Sequence, residues 1–585
     1  MRELRTLLPY IRTYRGTYAA GMAFIIVSNI LLTLGPKFLQ QGIDALDRHE
    51  PFAVVLRAIV LLLAVAIIGG FARFGMRELL NGGSRRIEFD LRNTLYRHLQ
   101  RLSADFHDRS TTGDLMARST NDLLAVRMVI GPAVMYLVDT ITRTIFVLPW
   151  MLGISPRLTG LSLLPLVALP VAMVWFGSAI HRRTLAIQAQ FSALSDFVHE
   201  NLSGVRVVRA YRQESAELSE FSRLNEEYAS RNMSLAHVAG SFHPIMGFLG
   251  GLGAVMVVWM GGRLVIAGTV TPGQFVAFGV YLMTLIWPMI ALGWVVNLVQ
   301  RGAASMGRIN ALLEEIPSVT SPTRPARLPP TSGARRLAAE GVWFQYPNAR
   351  DRGWVLQDIN FDLTPGRSLA IVGPTGSGKS TLADLLVRTW DPDRGRILID
   401  GVDIRHLTLE ELRRAIGFVP QETFLFSDTL RANILFGSPD DGRLKQVIKT
   451  AQLTETVQSF PNGLETMLGE RGINLSGGQK QRASIARALA KAPPIFILDD
   501  ALSAVDASTE TRILQGLRDA LANRTSVIVS HRLAAVRQAD WILVLDQGQV
   551  VEAGNHDDLI AREGRYWQLL NRQALEESLE GAEIS

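Results

Sequence analysis

The chain has 585 residues, of which 48% are apolar and 19% are charged, and its formal net charge is +6. Soluble globular chains carry about 25% charged residues, so this chain is depleted in charge. The composition excludes a disordered protein and a fibrous repeat. The absence of cysteine from the sequence excludes disulfides, thiolate metal sites and cysteine nucleophiles.

Six apolar stretches in the first half of the chain predict six membrane-spanning helices. The first, Gly16–Pro36, holds no charged residue, and about 20 apolar residues suffice for a helix to cross a bilayer. The other five are Val54–Phe74, Val129–Ile154, Leu158–Ile180, Phe242–Gly261 and Gln274–Val299.

Arginine placement predicts the orientation of these spans. Arginines are concentrated before the first span and in the long segments between spans two and three and between spans four and five. By the positive-inside tendency, these segments and both termini face the cytoplasm. The positive charge is therefore assigned to topology and anionic lipid rather than to nucleic acid. Met1–Tyr14 is expected to form an interfacial helix, or alternatively a frayed leader.

The two long polar segments between spans are expected to continue the membrane helices well beyond the bilayer. Each has a break, at residues 110–114 and 202–204. Short capped helices at these breaks would offer a contact surface in the cytoplasm.

The composition changes after Ile316. Residues 317–336 are rich in Pro, Ser, Thr and Arg, which is typical of an extended linker. From Leu337, short β-branched runs alternate with amphipathic stretches and predict an α/β domain with a largely parallel sheet. We predict a membrane domain over 1–316, a linker over 317–336, an α/β domain over 337–572 and an acidic tail over 573–585.

A phosphate-binding loop follows the strand predicted at Ser368–Val372. The run GPTGSGKS from Gly373 to Ser380 matches G-x-x-x-x-G-K-[ST] and leads into a helix. Glycines let the backbone wrap phosphate oxygens, and a helix N-terminus favours negative charge. We expect Lys379 to reach the β- and γ-phosphates and Ser380 to bind Mg²⁺. The remaining nucleotide contacts are predicted at Gly373, Thr375, Gly376, Ser377, Gly378 and Thr381.

A second acidic motif ends the apolar strand predicted at Ile495–Leu498. Asp499 and Asp500 follow this strand directly. A carboxylate that leaves a buried strand beside a phosphate loop is the usual Mg²⁺ partner in ATPases of this kind. An apolar run that ends in two acids also occurs as a plain surface turn.

A third motif, Leu475–Gln479 (LSGGQ), resembles the signature of ATP-binding cassette (ABC) proteins. Gln421, the run Ser503–Asp506 and the run His531–Leu533 fit other motifs of that family. Six spans followed by one cassette resemble ABC exporter half-transporters of type I, now often called type IV, over nearly the whole chain. Gly469–Gly472 resembles their exporter-specific loop.

This resemblance implies a fold and an assembly. The fold is a polytopic α-helical membrane domain, with six transmembrane helices and long cytoplasmic extensions, fused to an α/β P-loop ABC ATPase domain. The breaks near Gly113 and Gly204 then look like coupling helices. Because ABC sites are composite, one chain with one cassette must dimerise to work.

The resemblance also implies roles for residues. Tyr346 resembles the aromatic that stacks on adenine, although a core tyrosine is the alternative. Gln421 resembles the Mg²⁺ and water sensor, and Asp499 the Mg²⁺ aspartate. His531 resembles the γ-phosphate switch histidine rather than a structural one. The residues implied to contact the γ-phosphate held by the other subunit are Ser476, Gly477, Gly478 and Gln479.

One residue departs from the family pattern. Asp500 stands where the family has a glutamate that orients or deprotonates the attacking water, and aspartate is one methylene shorter. The substitution resembles the degenerate site of heterodimeric exporters. The similarity is nearest to the B subunit of a bacterial multidrug and peptide exporter related to the antigen-peptide transporter.

The sequence is least informative about the substrate. Asp139 and Arg143 lie four residues apart on the third span, so they share a helix face, where they could mark a pathway or form a structural ion pair. Aromatic residues of the sixth span could line an amphipathic pocket or pack between helices. They are Phe275, Phe278, Tyr281, Trp287 and Trp294.

Three functions remain open. The first is ATP-driven export of amphipathic small molecules, lipids or peptides across the cytoplasmic (inner) membrane by a heterodimer. The second is a homodimeric lipid or drug flippase with Asp500 as a weak base, and the third is a channel or regulatory subunit gated by ATP. The expected cofactors are ATP and Mg²⁺. The expected partners are a second half-transporter subunit, membrane lipids and an amphipathic or peptide substrate, with no nucleic acid.

Overall fold

Long helices dominate the first of two units in the computed structural model, which describes residues 2–331, 333–438, 441–469, 472–532 and 536–573. The first unit holds the described residues up to Gln100 together with Thr111–Glu315. The second unit holds Arg101–Ser110 and the described residues from Ile316 onward. The predicted tail beyond residue 573, together with Glu470, Arg471 and Leu533, lies outside the described residues.

Six helices in the described part of the chain are long and apolar enough to cross a membrane, as predicted. Two of them run for 48 residues, far beyond the roughly 20 residues that a bilayer requires. The helices up to Leu313 are α1 (Leu8–Thr13), α2 (Arg15–Asp47), α3 (Phe52–Leu99), α4 (Ala104–Arg109), α5 (Thr112–Ile154), α6 (Pro156–Ser203), α7 (Val205–Ala210), α8 (Glu214–Ile266) and α9 (Pro272–Leu313).

Local sequence signals start several of these helices. Thr271 and Gln274 form a reciprocal capping box at the start of α9, with Pro272 in the first turn. Ser155 accepts a hydrogen bond from the Leu158 amide and caps α6 in the same manner. Turns of π-helix interrupt α5 and α8 at Arg118–Asp122, Val129–Ala133 and Val257–Gly261.

Close packing within the first unit uses small residues and buried aromatic residues. A Cβ on Gly302 of α9 would lie 2.1 Å from Cγ2 of Val129, so only glycine fits there. Phe278 and Tyr281 are buried in the core of this unit, and the Tyr281 hydroxyl donates to the Thr33 carbonyl at 2.8 Å. These two aromatic side chains therefore pack between helices rather than line an open pocket. Trp287, by contrast, is exposed.

Short helices lie at both breaks in the polar segments. At the first break, α4 ends at Arg109, and Thr111 caps α5 by accepting from the Asp114 amide. Gly113 therefore lies inside α5, and the short helix precedes the residues that the sequence singled out. At the second break, Gly204 separates α6 from α7.

The second unit contains two sheets. One is four-stranded and antiparallel, in the order β2-β1-β4-β5. The other has the order β10-β9-β3-β8-β7-β6 and is parallel except for β10. The strands are β1 (Leu337–Phe344), β2 (Leu356–Leu363), β3 (Ser368–Val372), β4 (Arg394–Ile399), β5 (Val402–Asp403), β6 (Ile416–Val419), β7 (Ile495–Asp499), β8 (Thr525–Val529), β9 (Trp541–Asp546) and β10 (Gln549–Gly554).

Helices cover the parallel sheet, and β7 is accordingly buried at every position. The described helices of this unit after the linker are α10 (Lys379–Leu386), α11 (Leu409–Ala415), α12 (Leu430–Ile434), α13 (Leu444–Thr450), α14 (Thr454–Ser459), α15 (Gly477–Ala490), α16 (Ala507–Leu521) and α17 (His556–Ala561). One hydrophobic core cluster contains Leu369 and Ile371 of β3 together with Leu382 and Leu385 of α10. Helix α10 contacts β7 and β8, and β8 is paired with the strand that leads into the phosphate loop.

Candidate nucleotide site

The candidate site lies at the carboxyl edge of the parallel sheet, where ligands bind in open α/β sheets. Strands β3, β8, β7 and β6 are adjacent in this order. The phosphate loop, His531, the Asp499–Asp500 pair and Gln421 follow these four strands. One cavity of about 310 Å³ is lined by Tyr346, Val355, Thr375, Gly376, Gly378, Lys379, Ser380, Thr381, Gln421, Asp499, Asp500, Val529 and His531.

The phosphate loop has a backbone that requires glycine. Gly373, Gly376 and Gly378 have φ angles of 153°, 82° and 98°, which L side chains rarely adopt. A Cβ on Gly373 would lie 2.1 Å from the Leu545 carbonyl oxygen, whereas a Cβ on Gly376 would meet nothing within 4 Å. The loop is thus tight against the sheet at its start and open at Gly376.

Two polar side chains of the loop fit an anionic ligand. The Ser377 hydroxyl is buried and has no hydrogen-bond partner among the described residues. Lys379 Nζ donates to the carbonyl oxygens of Gly373 and Pro374 at 2.9 and 2.8 Å. Burial lowers the pKa of Lys379, while Asp500 and Asp499 oppose that change. A concentrated set of N–H, O–H and ammonium donors at a helix N-terminus fits the phosphates of ATP.

The oxygen ligands predicted for Mg²⁺ lie together. Ser380 Oγ donates to Asp499 Oδ1 at 3.0 Å. Burial raises the pKa of Asp499, the Ser380 hydrogen bond lowers it, and repulsion from Asp500 raises it further. A divalent cation would offset this concentration of negative charge. Hydroxyl and carboxylate oxygens are the ligands that Mg²⁺ takes, so the residues present fit the ion.

Tyr346 lines the cavity from the antiparallel sheet. Its hydroxyl is 2.9 Å from Oγ1 of Thr381. Its ring meets Phe344 and Trp390 edge to face, at centroid distances of 5.1 and 5.7 Å. The ring is thereby held in a fixed orientation at the cavity wall.

Asp500 and His531 complete the cavity. The Asp500 amide donates to the Val529 carbonyl at 2.9 Å, and its carbonyl accepts from Ser503 Oγ at 3.0 Å. Burial and the nearby Lys379 charge lower the pKa of His531, with Asp500 opposing. Because its usual pKa is already below neutral pH, this imidazole is mainly neutral at pH 7 and can donate or accept one proton.

The signature residues do not line this cavity in the described part of the unit. Ser476 caps α15 by accepting from the Gln479 amide, and the Gln479 side chain accepts from the Ser476 amide at 2.9 Å. A Cβ on Gly478 would lie 2.8 Å from the Ala504 carbonyl oxygen. The LSGGQ run therefore forms a separate, glycine-dependent helix N-terminus within the unit.

Two polar residues to which the sequence analysis assigned no role connect the loops around the site. Arg532 donates to the carbonyl oxygens of Val505 and Ser503 at 2.8 and 2.9 Å. Gln481 donates to Ser503 Oγ at 3.0 Å and accepts from the Ala504 amide at 2.9 Å. Their only sequence signal is their place within or beside these motifs, because their hydrogen-bond partners are distant along the chain.

In the membrane unit, Asp139 and Arg143 form an ion pair with an Nη2–Oδ2 distance of 2.8 Å. Asn29 of α2 donates to Asp139 Oδ1 at 3.0 Å. Arg143 Nε and Asn29 Oδ1 are buried and have no hydrogen-bond partner among the described residues. The two charged residues thus share a polar cluster with α2.

Comparison with known proteins agrees with this arrangement. Residues 18–289 match the family described as ABC transporter transmembrane region, and residues 356–503 match the ABC transporter family. The chain is 39% identical to a probable multidrug resistance ABC transporter ATP-binding/permease protein, YheI of Bacillus subtilis, over 99% of both chains. It is 36% identical to the multidrug resistance-like ATP-binding protein MdlA of Escherichia coli, over 100% of this chain and 98% of that one.

Two further comparisons cover nearly the whole chain. The ATP-dependent lipid A-core flippase of Syntrophus aciditrophicus is 34% identical, over 100% of this chain and 96% of the flippase. The structure of a bacterial Atm1-family ABC exporter with ATP bound aligns with a TM-score of 0.75 and 29% identity, over 96% of this chain and 99% of that one. The chain therefore belongs to the ABC transporter family, as a multi-pass membrane exporter of the type IV fold that couples ATP hydrolysis to transport.

Proposed function

We propose that this chain is one half of a heterodimeric exporter that moves amphipathic small molecules, lipids or peptides across the cytoplasmic membrane. Both termini and the ATPase unit would then face the cytoplasm. ABC exporters act as dimers, so the question is which chain completes the pair. The observation that carries the heterodimer proposal is Asp500 in the position of the catalytic glutamate.

The backbone around Asp500 supports this proposal. The Asp500 amide and carbonyl are both hydrogen-bonded, to Val529 and Ser503 respectively. The backbone is therefore held in place and cannot advance to offset the missing methylene of the shorter side chain. A general base needs its oxygen within hydrogen-bond reach of the water. We infer that the site on this chain binds ATP and hydrolyses it poorly.

The other site residues take the following proposed roles. Tyr346 stacks on adenine, and the loop from Gly373 to Thr381 holds the phosphates. Ser380, Asp499 and Gln421 hold Mg²⁺, which would neutralise phosphate charge during transfer. His531 contacts the γ-phosphate. Ser476, Gly477, Gly478 and Gln479 face the nucleotide of the partner subunit and complete its competent site.

The substrate class is proposed from the named relatives and from the polar cluster in the membrane unit. Relatives named as multidrug resistance proteins and lipid A-core flippases favour an amphipathic substrate. Within the membrane unit, Asp139 and Arg143 are proposed to face the substrate path. The unpartnered Arg143 Nε and Asn29 Oδ1 beside them support this role, because a polar ligand that reached them would satisfy groups that are costly to leave unpaired.

Copurification tests the heterodimer directly. The chain is expressed with a tag from its own chromosomal locus, purified in mild detergent and analysed by mass spectrometry. We expect a second half-transporter of similar size in equal amount, with glutamate after its Mg²⁺ aspartate. A complex that contains this chain alone and hydrolyses ATP would favour the alternative, a homodimeric lipid or drug flippase with Asp500 as a weak base.

A further inference from the structure

Arg388 is a buried arginine just beyond the end of the helix that starts at the phosphate loop. Helix α10 runs from Lys379 to Leu386, and the Arg388 side chain is almost completely excluded from solvent. The φ angle of Arg388 is 54°, a left-handed conformation in which glycine is usual after a helix. A bulky charged residue in this conformation needs an explanation beyond ending the helix.

The guanidinium of Arg388 joins separate segments of the chain. Its Nε and Nη2 donate to the two carboxylate oxygens of Asp391 at 2.8 and 3.3 Å. Its Nη2 also donates to the Thr320 carbonyl at 3.0 Å. Its Nη1 donates to the carbonyl oxygens of Ile404 and Leu407 at 3.4 and 3.5 Å. Such a divergent set of bonds requires the planar fork of arginine, which lysine lacks.

The contact with Thr320 continues into segment 101–110. We call residues Ser318–Thr320 the linker strap. At the end of the strap away from Arg388, the Val319 amide donates to Ser103 Oγ at 2.9 Å, and Ser318 Oγ donates to Asp105 Oδ1 at 2.9 Å. Val319 and Ser103 are both buried. The strap therefore bonds to Arg388 at one end and to segment 101–110 at the other.

Segment 101–110 has a special place in the chain. It belongs to the same unit as the phosphate loop, and it contains α4. It is covalently flanked by α3 and α5, two of the helices long and apolar enough to cross a membrane. A displacement of this segment therefore acts on two membrane helices through the chain itself.

We propose that Arg388 is a positioning residue, which ties α10 through the linker strap to segment 101–110 and passes nucleotide occupancy at the phosphate loop to that segment. Helix α10 is short and packs against β7 and β8, so a shift at its phosphate-binding end is transmitted to the end next to Arg388. Contiguous hydrogen bonds and a rigid element are the physical means of such coupling. The proposal goes beyond the heterodimer proposal and holds whichever chain completes the dimer.

Hydrogen exchange of the full-length transporter in nanodiscs tests the proposal. Exchange is followed by mass spectrometry in peptides that cover 373–381, 316–322 and 101–110, with and without Mg-ATP. In the wild type, we expect ATP to slow exchange in all three peptides. In Arg388→Met, ATP should still slow exchange at 373–381, but most of its effect on 316–322 and 101–110 should be lost. If Arg388 had only a local structural role, the ATP effect on exchange would change in all three peptides together or in none of them.

Arg335→Met is the matched control. Arg335 is also buried, pairs with Asp400 at 2.5 Å and donates to the Pro329 carbonyl at 3.1 Å, but it does not bond to the linker strap among the described residues. Its loss removes a buried guanidinium and should leave the ATP effect on 101–110 intact. The proposal is overturned if 101–110 of the wild type does not respond to ATP, or if Arg388→Met responds as the wild type does.

A variant at the other end of the strap covers the case in which Arg388→Met does not fold. The double variant Ser103→Ala/Asp105→Ala removes the acceptors for the Val319 amide and for Ser318 Oγ and leaves Arg388 and its partners unchanged. We expect the ATP effect to persist at 373–381 and 316–322 and to be largely lost at 101–110. An unchanged ATP effect at 101–110 in this double variant would overturn the proposal.

Discussion

Asp384 shows how the fold changes the protonation of one carboxyl group. Burial, with repulsion from Asp499 and Asp108, raises its pKa from 3.8 to about 6. The folded state therefore holds this proton where the unfolded state has released it, so stability falls as pH rises from about 4 to about 6. At neutral pH, ionised Asp384 lowers the free energy of unfolding by an amount on the order of 1–2 kcal/mol, after allowance for solvent screening.

Asp384→Asn should remove this loss of stability, because asparagine carries no charge at any pH. We expect its melting temperature to exceed that of the wild type by a margin that grows between about pH 4.5 and 6.5 and is constant above. Differential scanning fluorimetry across this range measures the margin, and Asp519→Asn, at an exposed position on α16, is the control for replacing an aspartate by asparagine on a surface helix of the same unit. A margin for Asp384→Asn that does not change with pH would contradict the argument.

At the scale of elements, the N-terminal residues of helix α15 do not line the described cavity on their own chain. We expect Ser476→Arg to remove most steady-state ATP hydrolysis, because a bulky cation would occupy the place of the γ-phosphate at the partner's competent site. Lys379→Ala should weaken nucleotide binding at the poorly hydrolysing site and leave measurable turnover.

Ser476→Asn separates the two properties of Ser476. Asparagine keeps a good helix cap, whereas the loss of a cap costs about 1 kcal/mol. Its stability should match the wild type, and its ATP hydrolysis should exceed that of Ser476→Arg. Full activity in Ser476→Arg, measured as phosphate release from the purified complex, would show that the signature does not complete a working site.

The ion pair on α5 is a second test at this scale. If Asp139 and Arg143 face the substrate path, Asp139→Asn and Arg143→Gln should each change substrate preference while basal ATP hydrolysis and melting temperature stay near the wild type. A buried structural pair behaves differently, because removal of one partner can cost about 3–5 kcal/mol. Large melting losses in both single variants, restored in the double variant with transport unchanged, would end the pathway proposal.

The elements also show where sequence patterns are sufficient. Apolar stretches of membrane length predicted the six spans, although charged residues interrupt the second and third, because a bilayer admits few alternatives for an apolar run. The first short helix was misplaced by several residues. Ser103 precedes this helix, and its hydroxyl oxygen accepts a hydrogen bond from the Val319 amide, 216 positions away. No local sequence pattern reveals such a contact.

The same limit applies to the site. The phosphate-loop glycines could be predicted from sequence, because one contiguous motif contains all the residues that need a positive φ angle or a close approach to phosphate. The roles of Arg388, Arg532 and Gln481 could not be predicted from sequence, because each of these side chains bonds to at least one group that a distant segment supplies. Tyr281 shows the related ambiguity of aromatic residues in membrane helices, since only packing places its hydroxyl on the Thr33 carbonyl.

At the scale of the whole molecule, one chain supplies two separate parts of an ATP site: a nucleotide cavity and a signature helix N-terminus. Its cavity gathers the phosphate loop, the Asp499–Asp500 pair, Gln421 and His531. Its signature helix N-terminus is a separate feature of the same unit. A dimer of such chains forms composite sites. From Asp500 and the intact signature on this chain, we propose poor hydrolysis at the site on this chain and full hydrolysis at the site on its partner.

Steady-state ATP turnover of the purified complex tests this asymmetry most directly. Two variants are compared with the wild type: Asp500→Asn on this chain, and glutamate to glutamine at the matching position of the copurified partner. We expect Asp500→Asn to keep most of the turnover and the partner variant to lose nearly all of it. Equal and large losses in both variants, or near-complete loss in Asp500→Asn alone, would contradict the account.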